Sequence, residues 1–258
     1  KTTQAVYEFI FEDMQTSVEL SKADLTDGKE LPGASLQVLD SNGTVVDEWI
    51  STEEPHMIRG LLVGETYTMV ETKPADGYTT AESIEFKVED TAEVQKHQML
   101  DDVTKVEINK TDVTDSKEIP GAKLTILDKD GKVVESWVSK KDPHMVEKLP
   151  VGTYTLREEQ APDGYLVAEE VSFEVKDSGE VQKVEMKDAR PVGKLVLKKT
   201  DAEDGSPLSG AEFELRIKKS GKVVATLVTD EEGVATSGDI PIASYKDGKM
   251  KKEIAISK

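Results

Sequence analysis

The chain has 258 residues, 52 acidic against 33 basic, a formal net charge of -19 and no cysteine. Acidity of that size argues against nucleic acid and anionic membranes as partners, since both need basic patches, and marks a solvated, self-repelling surface. No apolar run reaches the roughly 18 residues of a membrane span, and small extracellular modules without cysteine need some staple other than a disulfide.

In chain order, the pattern is one of repeats. Residues 1–13 read as the last strand of a preceding module, with Tyr7, Phe9, Phe11 and Asp13 on one row. The first complete module, 14–102, opens on Val18, Leu20 and Lys22, which alternate onto one face of a strand. "DSNG" at Asp40 reads as a hairpin turn between apolar runs. Tyr67, Met69 and Glu71 share the next inward row, followed by the breaker "KPADGY". Ile84, Phe86 and Val88 make another row, and the module closes on Asp101.

The second module, 103–190, repeats this order: Val106, Ile108 and Lys110, then "DKDG" at Asp128, then Tyr154, Leu156 and Glu158 before "APDGY". Val171, Phe173 and Val175 follow, then Val184, Met186 and Asp188. Lys22 and Lys110 are 88 positions apart, Glu71 and Glu158 are 87, and Asp101 and Asp188 are 87. A third copy begins at Lys194 with "KLVLKKTDAEDG"; residues 191–258 read as an incomplete module of a longer variant, ending before its own glutamate-bearing strand. The chain thus reads as a piece of a longer array. Period-2 alternation and about seven short strands per module predict an all-β sandwich, with no stretch of helical periodicity.

Three inward rows per complete module end in charge, as one lysine, one glutamate and one aspartate. A lone buried ion is prohibitively costly, so buried charges must be paired or neutralised. One reading is a buried salt-bridge triad, whose desolvation can cancel its Coulomb gain. The other is chemistry: a neutral amine is a nucleophile, a glutamate can shuttle protons, and two groups held in contact react at high effective concentration. The product would be a Lys–Asp amide with loss of one water. Position alone leaves both readings open.

The combination "SKAD"/"NKTD", "VETKPADGY"/"REEQAPDGY" and "MLD"/"MKD" resembles the Cna protein B-type (CnaB-like) domain, a prealbumin-like module of Gram-positive surface adhesins and pilins. The resemblance implies tandem Ig-like or prealbumin-like β-sandwich modules arranged in a rod, at the cell surface and cell-wall anchored in the full-length protein. It also implies isopeptide bonds Lys22–Asp101 with catalytic Glu71, and Lys110–Asp188 with catalytic Glu158. The first module departs from the pattern in exchanging Pro74 and Ala75 relative to Ala161 and Pro162. By position Lys199, with Lys198 as its outward neighbour, and Asp13 are the cross-link residues of incomplete modules, and neither is expected to bond inside this chain.

No metal site is expected: "EPHM" at Glu54 and "DPHM" at Asp142 put one histidine each in separate modules, and "DKDG" lacks the further ligands of a calcium loop. Trp49 and Trp137 recur at one module position and read as packing residues. No cofactor is expected, and no enzyme acting on an outside substrate. The implied function is a structural stalk whose partners are neighbouring modules of the same longer protein, with any host extracellular ligand reached through domains outside this chain. The alternative is an adhesive module that itself grips a host protein or glycan; an aromatic content of 5% and the near-equal lengths of the two complete modules favour the stalk.

Overall fold

The computed structural model describes residues 9, 14–218, 220–241, 243–246, 249–252 and 254–257. These residues form strands and no helix. The strand expected within 1–13, including Asp13, lies outside the described residues apart from an exposed Phe9. The chain forms two compact units, one comprising 1–106 with 146–151 and 175–182, the other 107–145, 152–174 and 183–258.

The first repeat has seven strands: β1 (Ser17–Asp24), β2 (Ser35–Leu39), β3 (Val45–Ile50), β4 (His56–Arg59), β5 (Thr66–Lys73), β6 (Ile84–Lys87) and β7 (Val94–Asp101). They make two sheets, ordered β4-β1-β7 and β3-β2-β5-β6. Alternation works as the sequence predicts. Along β1, Val18, Leu20 and Lys22 are buried while Glu19 and Ser21 are only half-buried. Val18 and Leu20 join Leu36, Val38, Met69, Phe86 and Met99, drawn from the inner faces of both sheets, in one apolar core. Each such side chain contributes about 2 kcal/mol by leaving water.

The β2–β3 hairpin turns where the Asp40 carboxylate accepts the backbone N–H groups of Asn42 and Thr44, at 2.9 and 2.8 Å. The matching Asp128 accepts those of Asp130 and Lys132. These carboxylates are therefore occupied by their own turns.

The first and last strands pair in parallel, in unbroken register from Ser17 opposite Val94 to Asp24 opposite Asp101. A repeat entered at Ser17 and left at Asp101 thus has its two ends at opposite ends of one strand pair. The same pairing brings the tail of β1, with Lys22, alongside the tail of β7, with Asp101.

The second repeat reuses the plan with β8 (Lys105–Asp112), β9 (Lys123–Leu127), β10 (Val133–Val138), β11 (His144–Glu147), β12 (Gly152–Gln160), β13 (Val171–Val175) and β14 (Val181–Asp188). Its sheets run β11-β8-β14 and β10-β9-β12-β13.

In the third repeat β15 (Val192–Gly193) precedes β16 (Val196–Lys198), β17 (Glu212–Ile217), β18 (Val223–Val228) and β19 (Val234–Thr236). β16 pairs with β19 as β1 does with β4, and β17 pairs with β18 as β2 does with β3. After β20 (Ile240–Pro241) comes a hairpin, β21 (Ala243–Lys246) and β22 (Lys249–Lys252), that the first two repeats lack. The last strand, β23 (Ile254–Ser257), pairs with the free side of β17, where β5 lies beside β2. The described residues of β23 face Glu214–Ile217; the residue that would face Phe213, as Glu71 faces Leu36, lies outside them.

Candidate functional site: two buried Lys–Glu–Asp clusters

Lys22 is 1% exposed, among the largest fully buried side chains of the described residues. Its Nζ lies 3.0 Å from Glu71 Oε1 and donates a hydrogen bond to Asp101 Oδ1. Each partner arrives on its own strand: Lys22 on β1, Glu71 on β5 opposite Leu36, and Asp101 at the end of β7. The second repeat builds the same cluster. Lys110 Nζ is 3.1 Å from Glu158 Oε1 and donates to Asp188 Oδ1, and all three side chains are buried.

One aspartate oxygen in each cluster, Asp101 Oδ2 and Asp188 Oδ2, lacks a hydrogen-bond donor, while each glutamate Oε1 has the ion pair with its lysine. A buried aspartate oxygen without a donor favours protonation. Burial pushes the Asp101 carboxyl up to about 7; Lys22 opposes the shift and Glu71 adds to it. Asp188 is pushed up to about 6 for the same reasons, with Lys110 opposing and Glu158 reinforcing. One amine and two carboxyls carry a net negative charge if all are ionised, and a proton retained on the aspartate removes it.

The departure at Pro74 leaves the turn after β5 unchanged. Tyr78 donates its backbone N–H to the Ala75 carbonyl at 3.0 Å, and Tyr165 to that of Pro162 at 3.1 Å. The turn needs only a carbonyl at this buried position, and either residue supplies one.

Lys199 differs from its counterparts. It is half-buried, and its Nζ donates to the backbone carbonyl of Thr200 at 3.2 Å. It has no carboxylate partner among the described residues, which also place no strand beside β16 in the position of β7.

The tryptophans stack on the histidines: Trp49 on His56 at 4.2 Å and Trp137 on His144 at 4.3 Å between ring centroids. Each histidine Nε2 meets a carboxylate, Asp47 at 2.9 Å and Glu135 at 2.7 Å. Among the described residues no group of His, Cys, Asp and Glu is arranged to hold a metal ion, and no helix is long and apolar enough to cross a membrane.

Several supporting residues escaped the sequence reading. The backbone N–H of Ala81 donates to Glu71 Oε2, and that of Ala168 to Glu158 Oε2, both at 2.7 Å. Glu30 and Glu118 accept the backbone N–H groups of Lys22 and Lys110. A buried hydroxyl clips the entry to the second strand of every repeat: Ser51 Oγ accepts from Ala34 N–H at 2.9 Å and donates to the Leu31 carbonyl at 2.6 Å. Ser139 and Thr229 repeat it with Ala122 and Ile119, and with Ala211 and Leu208. A hydroxyl after "WI", "WV" and "LV" was the available signal for this clip, whereas the backbone donors left none.

A family described as "SpaA: Prealbumin-like fold domain" matches the chain three times, at residues 16–102, 104–190 and 193–247. No curated protein matches. Among solved structures, the Bacillus anthracis TIE protein is 26% identical over 95% of this chain, with a TM-score of 0.56. The match covers 48% of the TIE protein, so the present chain spans about half its length. The major pilin subunit of Bacillus cereus, BcpA, is 18% identical with a TM-score of 0.46, over 94% of each chain. With three consecutive matches covering most of its length, this chain belongs to the SpaA prealbumin-like fold domain family.

Proposed function

We propose that each complete repeat closes itself with an intramolecular amide, Lys22 to Asp101 and Lys110 to Asp188, and that the chain is a load-bearing stalk segment of a Gram-positive surface adhesin or pilus-like protein. The observation that carries the reading is the buried cluster itself, built twice, with the glutamate Oε1 about one hydrogen-bond length from the amine and no donor on the far oxygen of the aspartate.

The reaction starts from ammonium, glutamate carboxylate and neutral aspartic acid. Lys22 passes one proton to Glu71, and its freed Nζ lone pair attacks Asp101 Cγ. The Nζ–Cγ bond forms as the Cγ–O bond to the acid hydroxyl breaks. That hydroxyl leaves as water with a second lysine proton, relayed by Glu71, which ends protonated. Burial favours the neutral aspartic acid over its ion, and contact replaces a bimolecular encounter. The chemistry happens once per module and needs no cofactor.

The mechanical role follows from the parallel pairing of β1 and β7. Tension on the ends of a repeat shears that pair lengthwise. With the amide in place, force passes from β1 through Lys22 to Asp101, 79 positions later, and the chain between them is unloaded. Such a bond needs no oxidant, consistent with a chain that has no cysteine. In the full-length protein the stalk would stand at the cell surface and hold a distal binding domain away from the cell wall.

Intact mass tests the reaction. The chain should weigh two waters less than its sequence, one per complete repeat, with none from Lys199. Glu71→Ala and Glu158→Ala should each restore one. An unmodified chain at its full sequence mass rules the amide out and leaves buried salt bridges.

A further inference from the structure

Each glutamate has one backbone hydrogen bond to orient it. Oε2 accepts that N–H, from Ala81 to Glu71 and from Ala168 to Glu158, which leaves Oε1 to the lysine Nζ 3.0 and 3.1 Å away. The aim of Oε1 therefore depends on where the loop after "DGY" places that N–H.

This loop touches the strands that carry the other two reactive groups. The Tyr78 hydroxyl donates to Asp24 Oδ2 at 2.7 Å, and Asp24 lies two residues beyond Lys22 on β1. Thr79 N–H donates to the carbonyl of Asp102, the residue after Asp101, at 2.9 Å. Ala81 N–H then meets Glu71 itself. The second repeat reproduces all three ties: Tyr165 to Asp112 at 2.7 Å, Leu166 N–H to the Ala189 carbonyl at 2.9 Å, and Ala168 to Glu158.

The tyrosine tie is anchored on a firm acceptor. Burial would raise the Asp24 carboxyl, but hydrogen bonds from Tyr78, the Thr26 backbone and Lys148 outweigh it and hold the group well below the usual carboxylate range. Lys148 Nζ also donates to the Tyr78 hydroxyl at 2.6 Å, and Arg190 does the same for Tyr165 at 2.7 Å. A side chain already satisfied in this way, twice, at the end of the lysine strand fixes the loop to that strand.

We infer that Tyr78 and Tyr165 are positioning residues for amide formation: through Asp24 and Asp112 they register the loop whose N–H turns the glutamate Oε1 toward the lysine. The inference rests on the amide-forming reading of the site. Loss of the tie lets the loop, and with it the carboxylate, drift from the attack geometry, and a misplacement of about 1 Å can cost on the order of a hundredfold in rate.

The test uses the full chain. Tyr78→Phe keeps the ring and removes the tie, so purified protein should contain an unreacted first repeat that loses its water about ten- to a hundredfold more slowly than the unmodified chain. The second repeat in the same molecule should be complete. Asp24→Asn should slow the same step, and the double variant should be no slower than the worse single one, because both act through one hydrogen bond. With alanine amides labelled, the Ala81 proton resonance should move in Tyr78→Phe while that of Ala168 stays. General loosening of the module would give neither the non-additivity nor a shift confined to Ala81. First-repeat water loss at the unmodified rate, or an unmoved Ala81 resonance, overturns the positioning role. An unmodified chain at full sequence mass overturns the reaction, and the inference with it.

Discussion

Lys22 and Lys199 open their repeats in nearly the same local sequence, "SKAD" and "KKTD", and meet different surroundings. Lys22 is fully buried against two carboxyls, whereas Lys199 is half-buried and, among the described residues, reaches a neighbouring carbonyl. The difference lies in strands far along the chain. β5 and β7 bring Glu71 and Asp101 to Lys22; in the third repeat the described residues supply neither a glutamate facing Lys199 nor a counterpart of β7. A lysine on an inward row is fully buried only when two further strands complete its shell, since an unpaired buried ammonium is too costly to keep.

The contrast between completed and open shells can be broken most strongly at Glu71. Glu71→Ala should cancel the amide of the first repeat and lower its stability by about 4 kcal/mol, the chain-entropy value for closing a loop of this length. Calorimetry should show the first repeat melting roughly 20 °C lower while the second keeps its transition.

A smaller effect separates the first two repeats at equivalent glycines. Gly77 has φ +87°, and a Cβ there would lie 2.4 Å from the Lys148 carbonyl oxygen. Gly164 has φ +95° with nothing within 4 Å. Gly77→Ala should therefore cost about 3 kcal/mol or more, combining backbone strain with overpacking. Gly164→Ala should cost only the strain, about 1–2 kcal/mol, as read from denaturant midpoints.

The hydroxyl clip should erase the distinction between repeats, because it is present in all three. Ser51→Ala and Ser139→Ala each strand one buried N–H and one carbonyl, Thr229→Val a half-buried N–H and a carbonyl, and each should cost about 2 kcal/mol in urea titration. A loss confined to the first two repeats would tie the clip to the buried clusters and not to the fold.

Once the proposed amides remove Asp101 and Asp188 from titration, the smallest expected effect is a pH response of the first repeat alone. His97 stacks on Phe86 at 4.7 Å, with its Nε2 buried and unpartnered, and burial lowers its pKa below the ordinary 6.5. The folded state then binds the proton less readily than the unfolded chain. Stability should be full above 6.5, fall as pH drops through that value, and level off below the folded pKa. The second repeat has Val184 at the matching position and should show no such slope. In His97→Val the slope should vanish from thermal melts taken between about pH 7 and 5.

Much of the fold was legible because its signals are local. Period-2 alternation gave the inward rows, and equal offsets between repeats singled out Lys22, Glu71 and Asp101 with their counterparts. The exchange of Pro74 and Ala75 departs from the pattern, and the turn is indifferent to it, since the contact is made by a backbone carbonyl. The supports of the site were hidden for the same reason. Ala81 and Ala168 act through N–H groups that every residue but proline carries, so no side-chain pattern could announce them.

The sequence by itself determined that inward rows end in one lysine, one glutamate and one aspartate, because alternation and repetition are properties of order along the chain. Only the tertiary structure decided that these ends meet. The parallel pairing of β1 with β7 joins residues 79 positions apart, and long-range strand pairing is not written in either strand alone. Burial then raises the aspartate carboxyl of each cluster well above its ordinary pKa, and that shift depends on the water excluded by the whole sandwich.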